Sequence, residues 1–599
     1  MPAAPVTTFA NSMQSLLNNV SNHFMDYQIE VNRNQIDVRE GESLLTALTR
    51  NGIKVPTLCH MNRFSPTGAC RLCVVEVEGR KDLVTSCSSQ VEKGMKVSTN
   101  SQRVLRARKS LVELLLSNHP DDCLYCVRNG HCELQSLAEE MNIKERKYYG
   151  EKNTLYPDYS SPSVARDPAK CVLCSRCVRM CEEVQVVTAL DFISRGNQTT
   201  VNSAFNKGLN VSTCIHCGQC IQVCPTAALI DISHIEKVQT ALGNKDKMVV
   251  FHLSPSVGAS VAAELKMKSR HLVMQRITYA LKRCGASRIF NLGFASDVNI
   301  LEEANILKDR LENEGSAVPL ISSCCPAWVR YAEDHHPEIL DQLSPVKSPQ
   351  QIMGTMAKIF CAEKHELDRE NIFSVSVTPC AGNKYESSRE ENTHKGVSEI
   401  DAVLTVRELF QLLRSFGLDL AQMNEDDLDE PYNEASAVAW KHGYSGGKAE
   451  AVAEQLFYLT GNGKKEKFKF NPPKNMTGRR ETKLTIGGKQ LGFAWVSSIS
   501  EAEHYLQHLK QEGRDDIHYL EVMACLDGCV GGGGQPVSRG FEMSRARKKV
   551  CLEMEKSAGK KYARENSGAN ELFKDGRLKP GNELAEIWMK PVFTDRSSD

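Results

Sequence analysis

Twenty-three cysteines punctuate this 599-residue chain, and their spacing points to metal rather than to disulfides. Cys59, Cys70, Cys73 and Cys87 form C-x10-C-x2-C-x13-C, and His119, Cys123, Cys126 and Cys132 form H-x3-C-x2-C-x5-C. Cys171, Cys174, Cys177 and Cys181 form C-x2-C-x2-C-x3-C; Cys214, Cys217, Cys220 and Cys224 repeat it, with Pro225 behind. Thiolate is a soft ligand that takes iron–sulfur clusters readily, and a C-x2-C pair puts two sulfurs on one tight loop facing one cluster. Zinc is the alternative, but zinc sites need four ligands and rarely appear as two triple-spaced runs. Disulfides would need an oxidising compartment. The N-terminal stretch has no Lys or Arg before Arg33 and no clean apolar core, so it reads as a short extension, neither a secretory nor a transit signal. A reducing, cytoplasmic setting follows as the expectation.

The elements that must position these sulfurs are α+β and multidomain. Residues 27–105 read as a β-grasp, ferredoxin-like [2Fe–2S] domain: YQIEVNRNQIDVREGESLLTAL alternates, turns and becomes helical, and CVVEVEG alternates as a strand. Residues 106–150 follow as a small module. The helical run RARKSLVELLLSNHP ends near Pro120, and His119 with Cys123, Cys126 and Cys132 would hold a [4Fe–4S] cluster through one imidazole. The bland reading of His119 is a cation suited to a helix C-terminus; nearby His131 reads as solvated. Residues 160–240 match the bacterial two-cluster ferredoxin run, in which the fourth cysteine of each run ligates the other cluster. Cys171, Cys174 and Cys177 should therefore pair with Cys224, and Cys214, Cys217 and Cys220 with Cys181. A chain with so many clusters moves single electrons over distance.

Beyond residue 245 the pattern changes. KMVVFHLS, a helix at 258–283, SRIFNLGF, a helix at 300–313 and VPLISSCCPAW alternate, and NIFSVSVTPC and IHYLEVMACLDGC are further apolar runs ending in cysteine. Alternating strands and helices imply parallel βαβ units with ligands at strand C-termini. Cys324, Cys325, Cys380, Cys525 and Cys529 all fall there. The alternative is that they pack like Ala or Val, which is the reading for Cys284, Cys361 and Cys551.

ISSCCPAW (321–328), VTPCAGNKYE (377–386) and EVMACLDGCVGGGGQP (521–536) resemble the three signatures of the [FeFe]-hydrogenase active site. The order of N-terminal modules is similar to the multi-cluster clostridial type, over roughly residues 27 to 580. The resemblance implies a large α/β domain of two lobes at 246–599 holding an H-cluster. That group is a [4Fe–4S] cubane joined by a cysteine to a two-iron centre carrying CO, CN⁻ and a dithiolate amine. It implies that Cys325, Cys380, Cys525 and Cys529 hold the cubane, with Cys529 as the bridge. Cys324 would exchange protons with the dithiolate amine, and Glu303 and Ser344 would continue the relay. Pro255 and Ser256, in LSPSVGAS, match a loop that contacts cyanide. Ser348 and Gln350, Asn383 and Lys384, and Met523 match positions around the two-iron centre. Gly531 to Gly534 would let backbone approach the cluster closely.

Three departures stand out. The pattern EEATE reads EEANI, so an outer relay carboxylate is Ile306, and an alkyl chain relays no proton. MPCxxKKxE reads TPCAGNKYE, so Met becomes Thr378 and a cyanide-bonding lysine becomes Asn383, which donates a hydrogen bond without charge. Lys384 is expected to be able to turn inward as a substitute. SSCCPAW for TSCCPGW looks harmless. The resemblance thus implies a hydrogenase with an atypical rate, bias or potential.

The implied function is reversible H2 oxidation and proton reduction. Electrons would pass through one [2Fe–2S] and three [4Fe–4S] clusters to ferredoxin or to NAD(P)-linked partner subunits, after loading by hydrogenase maturation factors. An H2 or redox sensor, or a low-activity relative, is the alternative, although residues 540–599 are too short and charged for a signalling domain. The cytosolic iron–sulfur assembly factor lacks the [2Fe–2S] front end, and the NADH dehydrogenase cluster subunit lacks SCCPAW. No glycine-rich nucleotide fingerprint sits between a strand and a helix. Lys+Arg and Asp+Glu are equal at 74 each, so nothing pulls the chain toward nucleic acid. No apolar run is long enough for a transmembrane helix. Residues 148–167 and the basic run 460–480 read as linkers, the latter a solvated loop or a ferredoxin-docking patch.

Overall fold

The computed structural model describes residues 26–149, 155–313, 318–461, 470, 479–537, 542–574 and 593–597. The N-terminal extension before residue 26 and nearly all of the basic run at 460–480 lie outside these residues. Two compact units result, Met1–Lys152 and Asn153–Asp599.

In the first unit, β1 (Asp26–Val31), β2 (Asn34–Arg39), β3 (Val74–Val77), β4 (Val84–Thr85) and β5 (Lys96–Ser98) form one sheet in the order β2-β1-β5-β3-β4. β1 and β2 are an antiparallel hairpin, and β1 pairs β5 in parallel. Asn32 and Arg33 take positive φ at its tip, the mirror-image turn geometry that two-residue hairpins need. The alternation seen in the sequence buries Ile29, Val31 and Val38 against the helix Leu44–Arg50, which Ser43 caps through its hydroxyl. A longer helix, Gln102–Ser117, ends two residues before His119.

The second unit opens with two small antiparallel pairs. β6 (Val164–Arg166) pairs β9 (Leu229–Asp231), and β7 (Asp191–Ile193) pairs β8 (Thr200–Asn202). They frame the two cysteine runs. A four-stranded parallel sheet follows in the order β11-β10-β13-β16, from β10 (Met248–Leu253), β11 (Arg288–Asn291), β13 (Ile372–Thr378) and β16 (Ala402–Thr405). β14 (Thr393–His394) and β15 (Val397–Ser398) are a minor hairpin. The other large sheet has the order β12-β19-β18-β17, from β12 (Leu320–Ile321), β17 (Arg479–Ile486), β18 (Lys489–Ser497) and β19 (Ile517–Met523). Strands β10 and β13 bury nearly every side chain, as strands covered on both faces do.

Two helix boundaries differ from the sequence expectation. The helix expected at 258–283 is two helices, Pro255–Glu264 and Val273–Arg283. Pro255 starts the first, where its missing N–H costs nothing, and Lys266 takes a left-handed conformation just past its end. The helix expected at 300–313 runs Leu292–Glu312, because Asn291 accepts the Gly293 N–H at 2.9 Å and converts LGF from strand to first turn. No helix among the described residues is long and apolar enough to cross a membrane.

The ferredoxin-like run packs directly on the catalytic half. A Cβ at Gly533 would stand 2.1 Å from the Cys217 carbonyl oxygen, and Gln222 Nε2 donates to the Gly533 carbonyl. Gly533→Ala is expected to cost about 1–3 kcal/mol through overpacking. A denaturation midpoint equal to that of the parent protein would contradict this contact.

Candidate functional site

Three strands of the second unit deliver cysteines to one cavity. β12 runs into Cys324 and Cys325, β13 into Cys380, and β19 into Cys525 and then Cys529. All five line one cavity. Pro255, Ser256, Ser348, Gln350, Asn383 and Met523 line it too. Burial pushes these thiols upward: Cys324 to about 11 and Cys529 to about 12, with Cys325, Cys380 and Cys525 also raised. Such thiols keep their protons until a metal displaces them. Donors already face the sulfurs. The Ala524 N–H points at Cys325 Sγ (3.5 Å), and Gln219 Nε2 donates to Cys525 Sγ (3.2 Å) and to the Gly531 carbonyl (2.9 Å). The Thr378 hydroxyl accepts the Cys380 N–H at 2.9 Å.

The ferredoxin-like cysteines also gather. Cys171, Cys174, Cys177 and Cys224 line one small cavity. Cys181 lies close enough to Cys214, Cys217 and Cys220 to affect their ionisation. The structure thus brings the fourth cysteine of each run to the other run. Burial raises Cys171 to about 11 and Cys174 and Cys214 to about 12.

In the first unit, Cys59 and Cys70 form one proton-sharing pair and Cys73 and Cys87 another, with sulfurs of the second pair 3.3 Å apart. Cys87 also feels Cys59 and Cys70. Cys123, Cys126 and Cys132 lie near one another, and burial, then the neighbouring cysteines, raises the thiols of Cys123 and Cys132. His119 follows the helix end, and its carbonyl accepts from Arg146. His131 is exposed, and Cys284, Cys361 and Cys551 are buried in the apolar cores. No group of three or more His, Cys, Asp or Glu among the described residues is set to hold a single metal ion.

Around the large cavity several side chains take positions the sequence did not reveal. Lys448 Nζ lies 2.6 Å from Cys324 Sγ, 2.7 Å from Glu303 Oε1 and 3.0 Å from Ser322 Oγ. The Tyr519 hydroxyl donates to Glu303 Oε2 at 2.7 Å. Ser344 is buried, but its hydroxyl accepts the Val346 N–H rather than linking to Glu303. Ile306 packs on the apolar core. Glu521 accepts the Gly446 and Ala449 N–H groups at 2.9 and 2.7 Å, and burial raises it to about 7. His442 lines the cavity, its Nε2 has no hydrogen-bond partner, and burial lowers it to about 3. The signal for Lys448 was present in GGKAEAVAEQLF: a lone cation on the first turn of an otherwise buried helix, Gly447–Leu459.

Lys384 does not turn inward. Its ammonium pairs with Glu408 at 2.7 Å and donates to the Ile232 carbonyl, both away from the cavity. Glu408 also closes the capping box of the helix Val406–Ser415, which fixes the carboxylate and draws the lysine to it. Gln350 Nε2 donates to the Asn383 carbonyl (3.1 Å) and to Glu386 (2.9 Å), a carboxyl raised to about 7 by burial. Ser348 caps the helix Pro349–His365 through the Gln351 N–H.

Residues 247–533 match the iron only hydrogenase large subunit, C-terminal domain. The NADP-reducing hydrogenase subunit HndD of Solidesulfovibrio fructosivorans is 36% identical over 93% of this chain and 96% of its own. The chain belongs to the iron-only hydrogenase family. Iron hydrogenase 1 of Clostridium pasteurianum is 33% identical over 93% of this chain and 98% of its own. An apo [FeFe]-hydrogenase of Chlamydomonas reinhardtii superposes with a TM-score of 0.54 at 25% identity, covering 61% of this chain and 99% of that one. Ahead of the hydrogenase domain, residues 26–102 match a 2Fe-2S iron-sulfur cluster binding domain, and residues 108–147 the NADH-ubiquinone oxidoreductase-G iron-sulfur binding region. Residues 161–230 match the ferredoxin-like domain of NADH-quinone oxidoreductase subunit 3. This member of the family is therefore an oxidoreductase-type, multidomain iron–sulfur protein.

Within this hydrogenase fold, the Lys384–Glu408 pair is fully buried, with side chains 0% and 2% exposed. Lys384→Met is expected to destabilise the protein by about 3–5 kcal/mol, because Glu408 is left as an uncompensated buried charge. The double variant Lys384→Met, Glu408→Gln should recover most of that loss in chemical denaturation. Equal midpoints for the parent and the single variant would refute this account.

Proposed function

We propose that this chain catalyses reversible H2 oxidation and proton reduction as the catalytic subunit of a cytoplasmic [FeFe]-hydrogenase. The observation that carries the reading is the convergence of Cys324, Cys325, Cys380, Cys525 and Cys529 on one buried cavity. Its donor set suits an H-cluster. Four thiols of Cys325, Cys380, Cys525 and Cys529 would hold a cubane, with Cys529 bridging to the two-iron unit. Gly532 lies so near the Pro379 carbonyl, 2.4 Å from where a Cβ would stand, that no side chain enters there. When bound, the group supplies the metal centre and the amine base between which H2 is split heterolytically.

The chain's own residues do the rest. Cys324 Sγ is the protein atom that takes or gives the proton. Lys448 Nζ hydrogen-bonds both that sulfur and Glu303 Oε1, so the next carboxylate lies one donor away. Glu303 is held by Tyr519. With Ile306 beyond and Ser344 turned to Val346, the outward route from Glu303 differs from the relay the family pattern implies. Met523 packs apolar surface in the cavity, and Pro255, Ser256, Ser348 and Gln350 shape its walls.

Electrons would pass through four modules, 27–105, 106–150, 160–240 and 246–599, which hold one [2Fe–2S] cluster, one cluster on His119, Cys123, Cys126 and Cys132, and two ferredoxin-type clusters. The nearest relay, on Cys214, Cys217, Cys220 and Cys181, lies against the cubane site through Gln219. The similarity to an NADP-reducing hydrogenase subunit supports NAD(P)-linked partner subunits over free ferredoxin as the electron acceptor. Loading of the cavity would need maturation factors. Asn383, with Lys384 paired elsewhere, favours a lowered rate or shifted potential over an ordinary one.

The test is anaerobic maturation followed by infrared spectroscopy and an H2 assay with a dye mediator. CO and CN⁻ bands with turnover are expected; intact cubanes by paramagnetic resonance without such bands would overturn the reading. Cys324→Ala should keep the bands and lose about 100-fold or more in turnover. Gln219→Leu removes one N–H···S bond, worth about 1 kcal/mol, and should lower the cubane midpoint by roughly 40 mV in a spectroscopic redox titration. An unmoved midpoint would show that Gln219 does not touch a ligand of the cluster.

A further inference from the structure

We propose that Lys448 is the cation that seats the anionic two-iron unit, taking over the charge that Asn383 does not supply. The inference rests on the hydrogenase reading above and goes further by naming the group that retains its cofactor.

A cyanide-bearing dithiolate unit is an anion, and an anion in a water-poor cavity needs fixed positive charge or donors to offset lost hydration. Asn383 brings an amide alone. Lys384 is committed to Glu408 and the Ile232 carbonyl. Among the described residues that line the cavity, Lys448 is the only Lys or Arg. The imidazole of His442 is kept neutral, first by burial and then by Lys448 itself.

The backbone is shaped to put this ammonium there. Gly446 has φ +88°, and a Cβ at Gly447 would stand 2.1 Å from the Lys441 carbonyl oxygen, so both positions require glycine. The tight turn starts the helix Gly447–Leu459 with Lys448 in its first turn, and Glu521 fixes that end through the Gly446 and Ala449 N–H groups. Glu303 is not among the residues lining the cavity, so it stands behind the lysine. The buried Lys448–Glu303 pair is thus a dipole with its positive end toward the cavity. Burial opposes the lysine's charge, and the Glu303 carboxylate 2.7 Å away favours it. Ser322 takes a third N–H, so the head group has one orientation.

The experiment uses full-length protein carrying its cubanes but made without maturation factors. It is mixed anaerobically with a synthetic dithiolate-bridged diiron carbonyl cyanide complex, desalted, and read by the intensity and position of CO and CN⁻ bands per protein. The parent protein should retain the complex. Lys448→Met should retain at least tenfold less and Lys448→Arg an intermediate amount, while adding Asn383→Lys to Lys448→Met should restore retention. The double variant Lys448→Met, Glu303→Gln leaves no buried unpaired carboxylate; it should fold, show its cubane signals and still fail to retain the complex. Parent-like retention and band positions in that double variant would overturn the role of Lys448 while leaving the hydrogenase reading intact. No retention by the parent protein would overturn the hydrogenase reading, and this inference with it.

Discussion

A thiolate removed from water is costly unless metal or a donor compensates it, and this chain removes five from water in one place. Protonated thiols tolerate that cavity; ionised ones need iron. The rest of the second unit follows from this constraint. Cysteines that would meet a rigid cofactor have to come from rigid supports, and here they come from the C-terminal ends of strands in two sheets. Backbone and side-chain N–H groups from Ala524 and Gln219 already point at sulfur. The donors that the proposed cluster would need are therefore fixed by the fold itself.

Positive charge is placed with equal economy. Buried lysines near the site each have a buried glutamate, among them Lys384 with Glu408 and Lys448 with Glu303. The first pair ties the helix Gly382–Ser387 to the helix Val406–Ser415 and faces away from the cavity. The second faces into it. Neighbouring carboxylates, Glu386 and Glu521, are raised to about 7 by burial. Gln350 donates to Glu386, and backbone N–H groups donate to Glu521, which lines the cavity.

Much of this was legible in the sequence, and the reason is chemical. Cysteine spacing reports on loop geometry directly, so the runs could be grouped from residue numbers alone. Apolar alternation marked β1 and β3, and short apolar runs marked β10, β13 and β19. What stayed hidden depended on tertiary approach. Lys384 looked free to turn inward because nothing in TPCAGNKYE reveals Glu408, which lies about two dozen residues away and arrives only when β13 and β16 pair. Lys448 was not singled out, because the pocket it enters is built by β12, β19 and the helix Leu292–Glu312, all distant in sequence. The helix starts at Pro255 and Leu292 were misplaced for a smaller reason: a proline at the first helical position and an asparagine cap override apolar pattern at element ends.

The contact of Gly533 with the Cys217 carbonyl has a consequence for kinetics. For the clusters proposed above, this contact would hold the second cysteine run against the catalytic cavity and so set the gap and the medium of the final electron transfer. That step would then be independent of encounter frequency and of the ionic atmosphere. A dependence of turnover on viscosity, salt or carrier concentration would arise at the outer end of the proposed relay.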